Sequence, residues 1–217
     1  MSISVLIADD HAIVREGLRF LLETQGDVKV IGEAADGREV LRKALKLRPD
    51  VVVMDIAMPE LNGIDAARQI RHDCPATRVI ILSMHSTKEH VYRALQAGAS
   101  AYVLKESAGK EILTALITVQ AGHRYLSQKL ADVLLDDMSR LHGFQGYQDP
   151  LSCLSSRERE VLQLLVEGNS SARIAEKLFL SVKTAETYRS RIMQKLGIHD
   201  IPGLVKFAIQ HGLTTID

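Results

Sequence analysis

The strongest constraint on the fold is a set of five short apolar runs in the first 126 residues, at positions 5–7, 28–32, 51–54, 79–82 and 101–104. Between the runs, apolar residues recur at the spacing of amphipathic helices. Strands that are apolar throughout and separated by helices predict a parallel sheet that is covered on both faces. We therefore expect a five-stranded, doubly wound α/β domain.

The remainder of the 217-residue chain is organised differently. Strand patterns stop after residue 151, where four helical segments follow, too few for a second α/β domain. Gly143, Gly146 and Pro150 precede this region, as is typical of a connection between domains. We predict domains at 1–126 and 151–217 with a linker at 127–150. Apolar spacing within the linker allows a helix through Leu130, Val133, Leu134, Met138 and Leu141.

Overall composition excludes several classes of protein. The formal net charge is zero, so any surface for nucleic acid must be a local patch. Two isolated cysteines, Cys74 and Cys153, are too few for a disulfide framework or a zinc site. The N-terminus lacks the features of a signal peptide, and no apolar run approaches the ~20 residues of a membrane span. We expect a cytoplasmic protein without a membrane partner.

Polar or charged side chains follow four of the five apolar runs where each run ends. Asp9 and Asp10 follow the first run, Asp55 the third, Ser83 the fourth and Lys105 the fifth. Because the carboxyl ends of parallel strands meet at one edge of the sheet, we expect these side chains to converge. Three carboxylates repel one another unless a cation is present, and hard oxygen ligands suit Mg²⁺. The pattern predicts a metal-assisted phosphate site.

The same groups are suited to the formation of an aspartyl phosphate. This chemistry needs a carboxylate nucleophile, a divalent cation and a lysine that neutralise phosphoryl oxygens, and a hydroxyl donor. Asp55 follows the central run, and we assign it as the nucleophile.

A helix-turn-helix pattern lies in the second half. A short helix at 172–178 is joined by a tight turn to a longer one at 181–196, on which four basic residues oppose the single acid Glu186. Those basic residues are Lys183, Arg189, Arg191 and Lys195. On a helical projection Lys183, Glu186, Thr187 and Ser190 face away from the apolar side, where they can enter a DNA major groove. The phosphate-contacting set is Lys183, Tyr188, Arg189, Arg191 and Lys195, and Thr184 completes the predicted DNA-binding residues.

The first half resembles the flavodoxin-like receiver domain of two-component response regulators. The resemblance is carried by Asp9-Asp10, by the stretch from Asp55 through Met58-Pro59 to Gly63, and by Ser83, Tyr102 and Lys105. It implies that Asp9, Asp10, Asp55 and the backbone carbonyl of Ala57 surround Mg²⁺. It also implies that Lys105 pairs with the phosphoryl group and that Ser83 and Tyr102 change conformation together, with Tyr102 able to rotate inward.

The second half, from 154–162 through 195–198, resembles the four-helix LuxR-type domain of the NarL/FixJ family. This resemblance implies that the helix at 181–196 reads double-stranded DNA and that the last helix, about 201–211, contributes to a homodimer. It further implies a histidine kinase as phosphodonor, with RNA polymerase as an additional candidate partner. We therefore expect a transcription regulator controlled by phosphorylation of Asp55, and not an enzyme.

Three alternatives use the same residues differently. A phosphatase or mutase also forms an aspartyl phosphate, but Ala57 occupies the place of its second acid. A LuxR-type regulator that senses a small molecule needs an apolar, often aromatic pocket, whereas only 4% of these residues are aromatic. A receiver that works without phosphorylation would have no use for the intact acidic and lysine set.

Overall fold

The computed structural model describes residues 2–24, 26–131 and 149–214. The first domain contains a six-stranded parallel sheet in the order β2-β1-β3-β4-β5-β6. Its strands are β1 (Ile3–Ala8), β2 (Val28–Ala34), β3 (Val51–Asp55), β4 (Arg78–Ser83), β5 (Ala101–Leu104) and β6 (Tyr125–Leu126). The strand order reverses between β1 and β3, which is where doubly wound sheets bind their ligands.

The sixth strand corrects the five-strand prediction. Tyr125 and Leu126 pair in parallel with Ala101 and Tyr102 at the edge of the sheet. The following Ser127 extends the attachment, since its hydroxyl accepts a hydrogen bond from the Leu104 amide at 3.0 Å. A strand of two residues contains no alternation that a sequence pattern can reveal, so it is recognised only through its pairing.

Within residues 2–24 and 26–126, five helices cover the two faces of the sheet: α1 (Ala12–Glu23), α2 (Gly37–Leu47), α3 (Gly63–Asp73), α4 (Lys88–Ala97) and α5 (Ala108–Gln120). Alternate residues of the central strand point to opposite sides. Val52 and Met54 pack with α2, α3 and α4, whereas Val51 and Val53 pack with α1 and α5. Burial on both faces explains why β3 is apolar until its last residue.

The second domain is built from four α-helices in its described part, preceded by a 3-10 turn at Pro150–Cys153: α6 (Ser156–Val166), α7 (Ser171–Leu178), α8 (Val182–Leu196) and α9 (Ile201–Gln210). Ser155 and Glu158 form a capping box at the start of α6. Ser181 caps α8 by accepting a hydrogen bond from the Thr184 amide at 3.0 Å. Gly168 and Gly197 follow α6 and α8 with positive φ.

The connection between the domains is described only at its ends. Residues 128–131 are helical, and Leu130 is buried in the core on the α3 and α4 side of the sheet. The rest of the predicted linker helix lies outside the described residues. Among the helices of the described ranges, none is both long and apolar enough to cross a membrane.

Candidate functional site

The predicted polar groups converge at the carboxyl edge of the sheet. The ammonium of Lys105 lies 2.7 Å from Asp9 Oδ2 and 2.9 Å from Asp55 Oδ2, and both carboxylates are buried. Asp10, the next residue after Asp9, is more exposed, and its Oδ1 lies 2.7 Å from Nδ1 of His11. Asp9, Asp55 and Lys105 thus form a compact charged site at the point where the strand order reverses.

Burial and the neighbouring Lys105 shift the pKa of the Asp55 carboxyl in opposite directions. Burial raises the pKa of this carboxyl, and the attraction of Lys105 lowers it by less. The Ile56 amide donates a 2.7 Å hydrogen bond to Asp55 Oδ1. Burial also disfavours the charged form of Lys105, but the neighbouring carboxylates outweigh this cost and raise the pKa of its ammonium. A buried carboxylate that depends on one lysine is suited to further stabilisation by a second cation.

The loop after β3 is packed directly against Asp55. A Cβ atom added at Gly63 would lie 2.0 Å from the carbonyl oxygen of Asp55, so only glycine fits this backbone approach. The Gly63 amide also donates a 2.8 Å hydrogen bond to the carbonyl of Ile56. The start of α3 therefore fixes the position of the Asp55 backbone.

The residues fit a hard divalent cation by their chemistry. Asp9 Oδ2 is buried and, despite its nearness to Lys105, has no hydrogen bond of good geometry within the described residues. In the same part of the chain, Asp9, Asp10 and His11 bring ligand atoms within 4.8 Å of one another, whereas Asp55 stands outside this group, beside Lys105. Ala57 lines a cavity together with Asp10. Carboxylate and carbonyl oxygens of this kind suit Mg²⁺.

Ser83 and Tyr102 lie next to this site. Ser83 is fully buried at the end of β4, and its hydroxyl accepts a 3.0 Å hydrogen bond from the His85 amide. Tyr102 is also fully buried, and its hydroxyl donates to the carbonyl of His85 at 2.8 Å. The ring is thus already inside the domain, in contact with the segment that leads into α4, whereas the sequence suggested an inward rotation on phosphorylation.

The outer face of α8 carries most of the predicted DNA-binding residues in exposed positions, whereas Thr184 and Tyr188 are half-buried and Tyr188 packs against the domain core. Lys183, Glu186, Thr187 and Ser190 are exposed, whereas Ala185 and Ile192 on the opposite side are buried in the domain core. A concave surface along this face, of about 330 Å³, is lined by Ser181, Lys183, Thr184, Thr187, Tyr188 and Arg191. Arg189 is exposed as well.

Lys195 differs from the other predicted phosphate-contacting residues. Its ammonium lies 2.7 Å from the Glu158 carboxylate and 3.1 Å from the carbonyl of Cys153. Glu158 also accepts the Ser155 amide in the capping box, so one carboxylate connects α8 to the start of α6. Lys195 therefore supports the domain itself.

A surface that the sequence did not predict joins the two domains. Gln163 on α6 is buried, accepts a 2.7 Å hydrogen bond from the Asn62 amide and donates a 2.8 Å hydrogen bond to the carbonyl of Met58. Arg159, one turn earlier, forms a buried 2.8 Å ion pair with Asp65. The polar side of α6 thus contacts the loop and helix that follow Asp55.

A second contact joins α4 to the end of the other domain. Arg93 on α4 donates a hydrogen bond to the carbonyl of His211 and lies 3.4 Å from the Asp149 carboxylate. Gly212 has a positive φ and lies so close to His90 that an added Cβ would meet its Nε2 at 2.3 Å. With the two domains in contact in this way, the face of α8 that carries Lys183, Glu186, Thr187 and Ser190 remains exposed.

Comparison with known families matches both domains. Residues 5–117 match the response regulator receiver domain, and residues 152–208 match the bacterial regulatory proteins of the luxR family. The two matches cover the domains that contain the acidic site and α8, respectively.

Relatives match over almost the whole chain. The oxygen regulatory protein NreC of Staphylococcus epidermidis is 38% identical over 96% of this chain and 98% of its own length. The RcsB response regulator of Salmonella typhimurium is 31% identical, with a TM-score of 0.59 over 95% of this chain and 97% of that one. A structure of two RcsB dimers bound to two parallel DNAs has 28% sequence identity and a TM-score of 0.60, over 97% of this chain and 99% of that one. The chain therefore belongs to the NarL/FixJ family of two-component response regulators, which are transcription regulators and not enzymes.

Proposed function

We propose that Asp55 accepts a phosphoryl group from a histidine kinase and that this modification controls DNA binding by α8. The observation that carries the proposal is the placement of one ammonium, that of Lys105, 2.7 Å from Asp9 and 2.9 Å from Asp55 at the reversal point of the sheet. This arrangement provides a buried nucleophile beside a cation that can neutralise a phosphoryl oxygen.

The chemical step is a phosphoryl transfer. A carboxylate oxygen of Asp55 attacks the phosphorus of phosphohistidine, the P–N bond breaks, and its electron pair returns to the imidazole of the donor. Lys105 stays positive and pairs with an oxygen of the transferred group, and the hydroxyl of Ser83 turns to donate to another. Mg²⁺, held by Asp9, Asp10, Asp55 and the carbonyl of Ala57, would stabilise the remaining negative charge.

The resulting change passes from the phosphoryl group to α4. Ser83 and Tyr102 both bond to the backbone of His85, so movement of the serine hydroxyl changes the support of the segment before α4. The phosphorylated side chain carries about two negative charges where the carboxylate carried one, so the site gains about one negative charge. Because α4 also contacts the second domain through Arg93, its position affects how that domain is held.

DNA is bound by the exposed face of α8 in this proposal. Lys183, Arg189 and Arg191 contact phosphates, and Glu186 and Thr187 contact base edges, because their side chains are exposed on one face of the helix. RNA polymerase is a candidate contact of the DNA-bound protein.

Two copies bind together through α9. Ile201, Val205 and Ile209 are half-buried and line an apolar concave surface of about 490 Å³ on α9. Pairing of this surface in two copies presents two α8 helices to consecutive half-sites, as in other two-fold helix-turn-helix proteins.

The kinase approaches from the side of α1. Ile13 and Phe20 on this helix are 80% and 71% exposed, which provides an apolar docking surface near Asp10.

The proposal also includes the division of the chain into a first domain at 1–126, a linker at 127–150 and a second domain at 151–217. The family matches at 5–117 and 152–208 support this division of the chain.

The test is intact mass spectrometry after incubation with acetyl phosphate and Mg²⁺. We expect an adduct of about 80 Da in the wild type and in Asp73→Asn, an exposed carboxylate control, and none in Asp55→Asn. An adduct that persists in Asp55→Asn would refute the assignment of the nucleophile. Fluorescence anisotropy with duplex DNA should then show tighter binding by the wild type and by Asp73→Asn after incubation with the phosphodonor, and no change in Asp55→Asn.

A further inference from the structure

A cavity of about 320 Å³ lies at the amino edge of the sheet, opposite to the edge that carries the acidic site. Arg78 begins β4, Ser100 precedes β5 and Arg124 precedes β6, and all three residues line the cavity. Strand pairing brings these positions together. The Ser100 amide donates a 2.7 Å hydrogen bond to the carbonyl of Val79, and the Ser100 carbonyl accepts a 3.1 Å hydrogen bond from the Tyr125 amide. The register of the sheet therefore builds this cavity apart from the acidic site.

The lining of this cavity is basic. Arg71 and His123 join Arg78 and Arg124 around it, and none of the described residues that line it is acidic. In the part of the chain that the structure describes, no hydrogen bond or ion pair engages the guanidinium group of any of the three arginines. All three side chains reach solvent, so the cavity is accessible from outside. Guanidinium groups that repel one another around a cavity attract an anion into it.

Helix ends account for only part of this charge. Arg71 lies in the last turn of α3, where the unpaired carbonyls stabilise a cation. Its aliphatic stem lies against Gly98, since a Cβ added there would meet Arg71 Cδ at 2.3 Å. Arg78 and Arg124 lie outside the helices, so the capping of their own helix does not explain them.

The size and lining of the cavity indicate the class of anion. Its volume is at the lower end of the range of about 300–1,000 Å³ that is usual for small-molecule sites, so it has room for more than one phosphate group. Arginine pairs with phosphate oxygens through two parallel N–H donors, and three such groups suit a ligand with several negative charges. The buried side chains of Val79, Ala99 and Val119 add an apolar floor, against which a flat ring can pack.

We propose that this cavity is a binding site for a diphosphate group, carried by inorganic pyrophosphate or by a nucleoside diphosphate. Arg78 and Arg124 pair with the phosphate oxygens, and Arg71 neutralises the remaining charge. The bound group connects three strands with the ends of α3 and α5, so it stabilises the first domain by linkage. The site does not depend on phosphorylation of Asp55.

The experiment titrates the full chain, labelled with ¹⁵N, with inorganic phosphate, pyrophosphate and ADP. Mg²⁺ is omitted, so the acidic site stays negative and repels these anions. Amide NMR spectra report both the place and the strength of binding. Arg78→Gln and Arg124→Gln each remove one charge, and Arg124→Lys keeps the charge but loses the planar pair of donors. Arg42→Gln is the matched control, because Arg42 is exposed on α2 and does not line the cavity.

We expect pyrophosphate and ADP to shift the amide signals of residues 77–79, 98–100 and 122–124 in a saturable way, and inorganic phosphate to bind more weakly than either. Arg78→Gln and Arg124→Gln should each raise the dissociation constant about tenfold, the effect of losing one charge-assisted contact. Arg42→Gln should bind like the wild type, and Arg124→Lys should lie between the wild type and Arg124→Gln. Tighter binding of ADP than of pyrophosphate would identify a nucleoside diphosphate as the ligand, whereas equal affinities would identify the diphosphate group alone.

Three results would overturn the inference. The first is the absence of saturable shifts at the amino edge up to about 10 mM pyrophosphate or ADP, well above the dissociation constant of a millimolar site. The second is binding that both glutamine variants retain at the strength of Arg42→Gln, with shifts confined to residues 183–191 or to the acidic site. The third is equal affinity for phosphate and pyrophosphate, which would refute the recognition of a diphosphate group.

Discussion

Gly63 offers a sharp test of how the start of α3 positions Asp55, the proposed phosphoacceptor. In Gly63→Ala the new Cβ would lie 2.0 Å from the carbonyl oxygen of Asp55 and 2.9 Å from its carbonyl carbon. The backbone at the start of α3 and the backbone at Asp55 must move apart by at least 1 Å to reach even a tight contact of 3.0 Å. Both partners are backbone, so no side-chain rotation can relieve the overlap.

The expected cost follows from this geometry. Overpacking of a buried site costs typically 1–3 kcal/mol, and a backbone overlap belongs at the upper end, about 3 kcal/mol. For a domain of this size the melting temperature should fall by roughly 10 °C. Displacement of the Asp55 backbone by about 1 Å should also slow phosphorylation by acetyl phosphate, by roughly a hundredfold.

Gly109 is the matched control. It lies in α5, and an added Cβ would meet nothing within 4 Å. Gly109→Ala should therefore raise stability slightly, by about 0.5 kcal/mol, because alanine favours the helix. Differential scanning fluorimetry and the mass-spectrometric phosphorylation assay measure both effects. If Gly63→Ala melts within 2 °C of Gly109→Ala (a difference of roughly 1 kcal/mol or less) or is phosphorylated equally fast, the steric reasoning is wrong.

Three further predictions concern a helix cap, a buried histidine and the DNA surface. Ser155→Ala removes half of the capping box and should destabilise the second domain by about 1 kcal/mol in urea denaturation. The pKa of His90 is lowered to about 3 by burial and by the charges of His85 and Arg93. Below about pH 6.5 His90 takes up a proton in the unfolded protein but not in the folded protein. The free energy of unfolding should therefore fall by up to about 1.4 kcal/mol per pH unit from pH 6.5 towards pH 3. Lys183→Ala should weaken binding to all duplexes and reduce the slope of log K against log salt by about 0.9.

Each of these predictions has a control in the same protein. Ser152→Ala changes an exposed serine near the same helix start and should leave the urea midpoint unchanged. His72 is 88% exposed, so His72→Gln should keep the pH dependence that His90→Gln flattens. Lys110→Ala, on α5, should keep the full salt slope. A variant that behaves like its control would contradict the corresponding argument.

Five of the six strands and the charged site could be predicted because their signals are local, whereas β6 could not. Val51, Val52 and Val53 are all apolar since both faces of β3 are covered, and Asp55 follows where the strand reaches the edge of the sheet. The start of α6 could be predicted for a similar reason, because the groups that satisfy its first amides lie within four residues of one another.

Contacts between the domains could not be predicted in this way. Arg159 and Gln163 are one turn apart on α6 and, in the sequence, are indistinguishable from a polar face in water. Their partners Asp65 and Asn62 lie about 100 positions away in the chain. Burial of these side chains depends on how the two domains pack against each other. The spacing of apolar residues within either domain does not predict that packing.

In the second domain, the surface that contacts the first domain is separate from the outer face of α8, and this separation has a consequence for evolution. Contacts with the first domain are made by α6, by Lys177 on α7 and by the residues after α9, whereas the residues that we propose face DNA lie on the outer side of α8. Substitution of Glu186 or Thr187 can thus change the preferred promoter without altering the docked surface. Gene duplication followed by divergence at α8 alone would yield a regulator that answers the same signal at new genes.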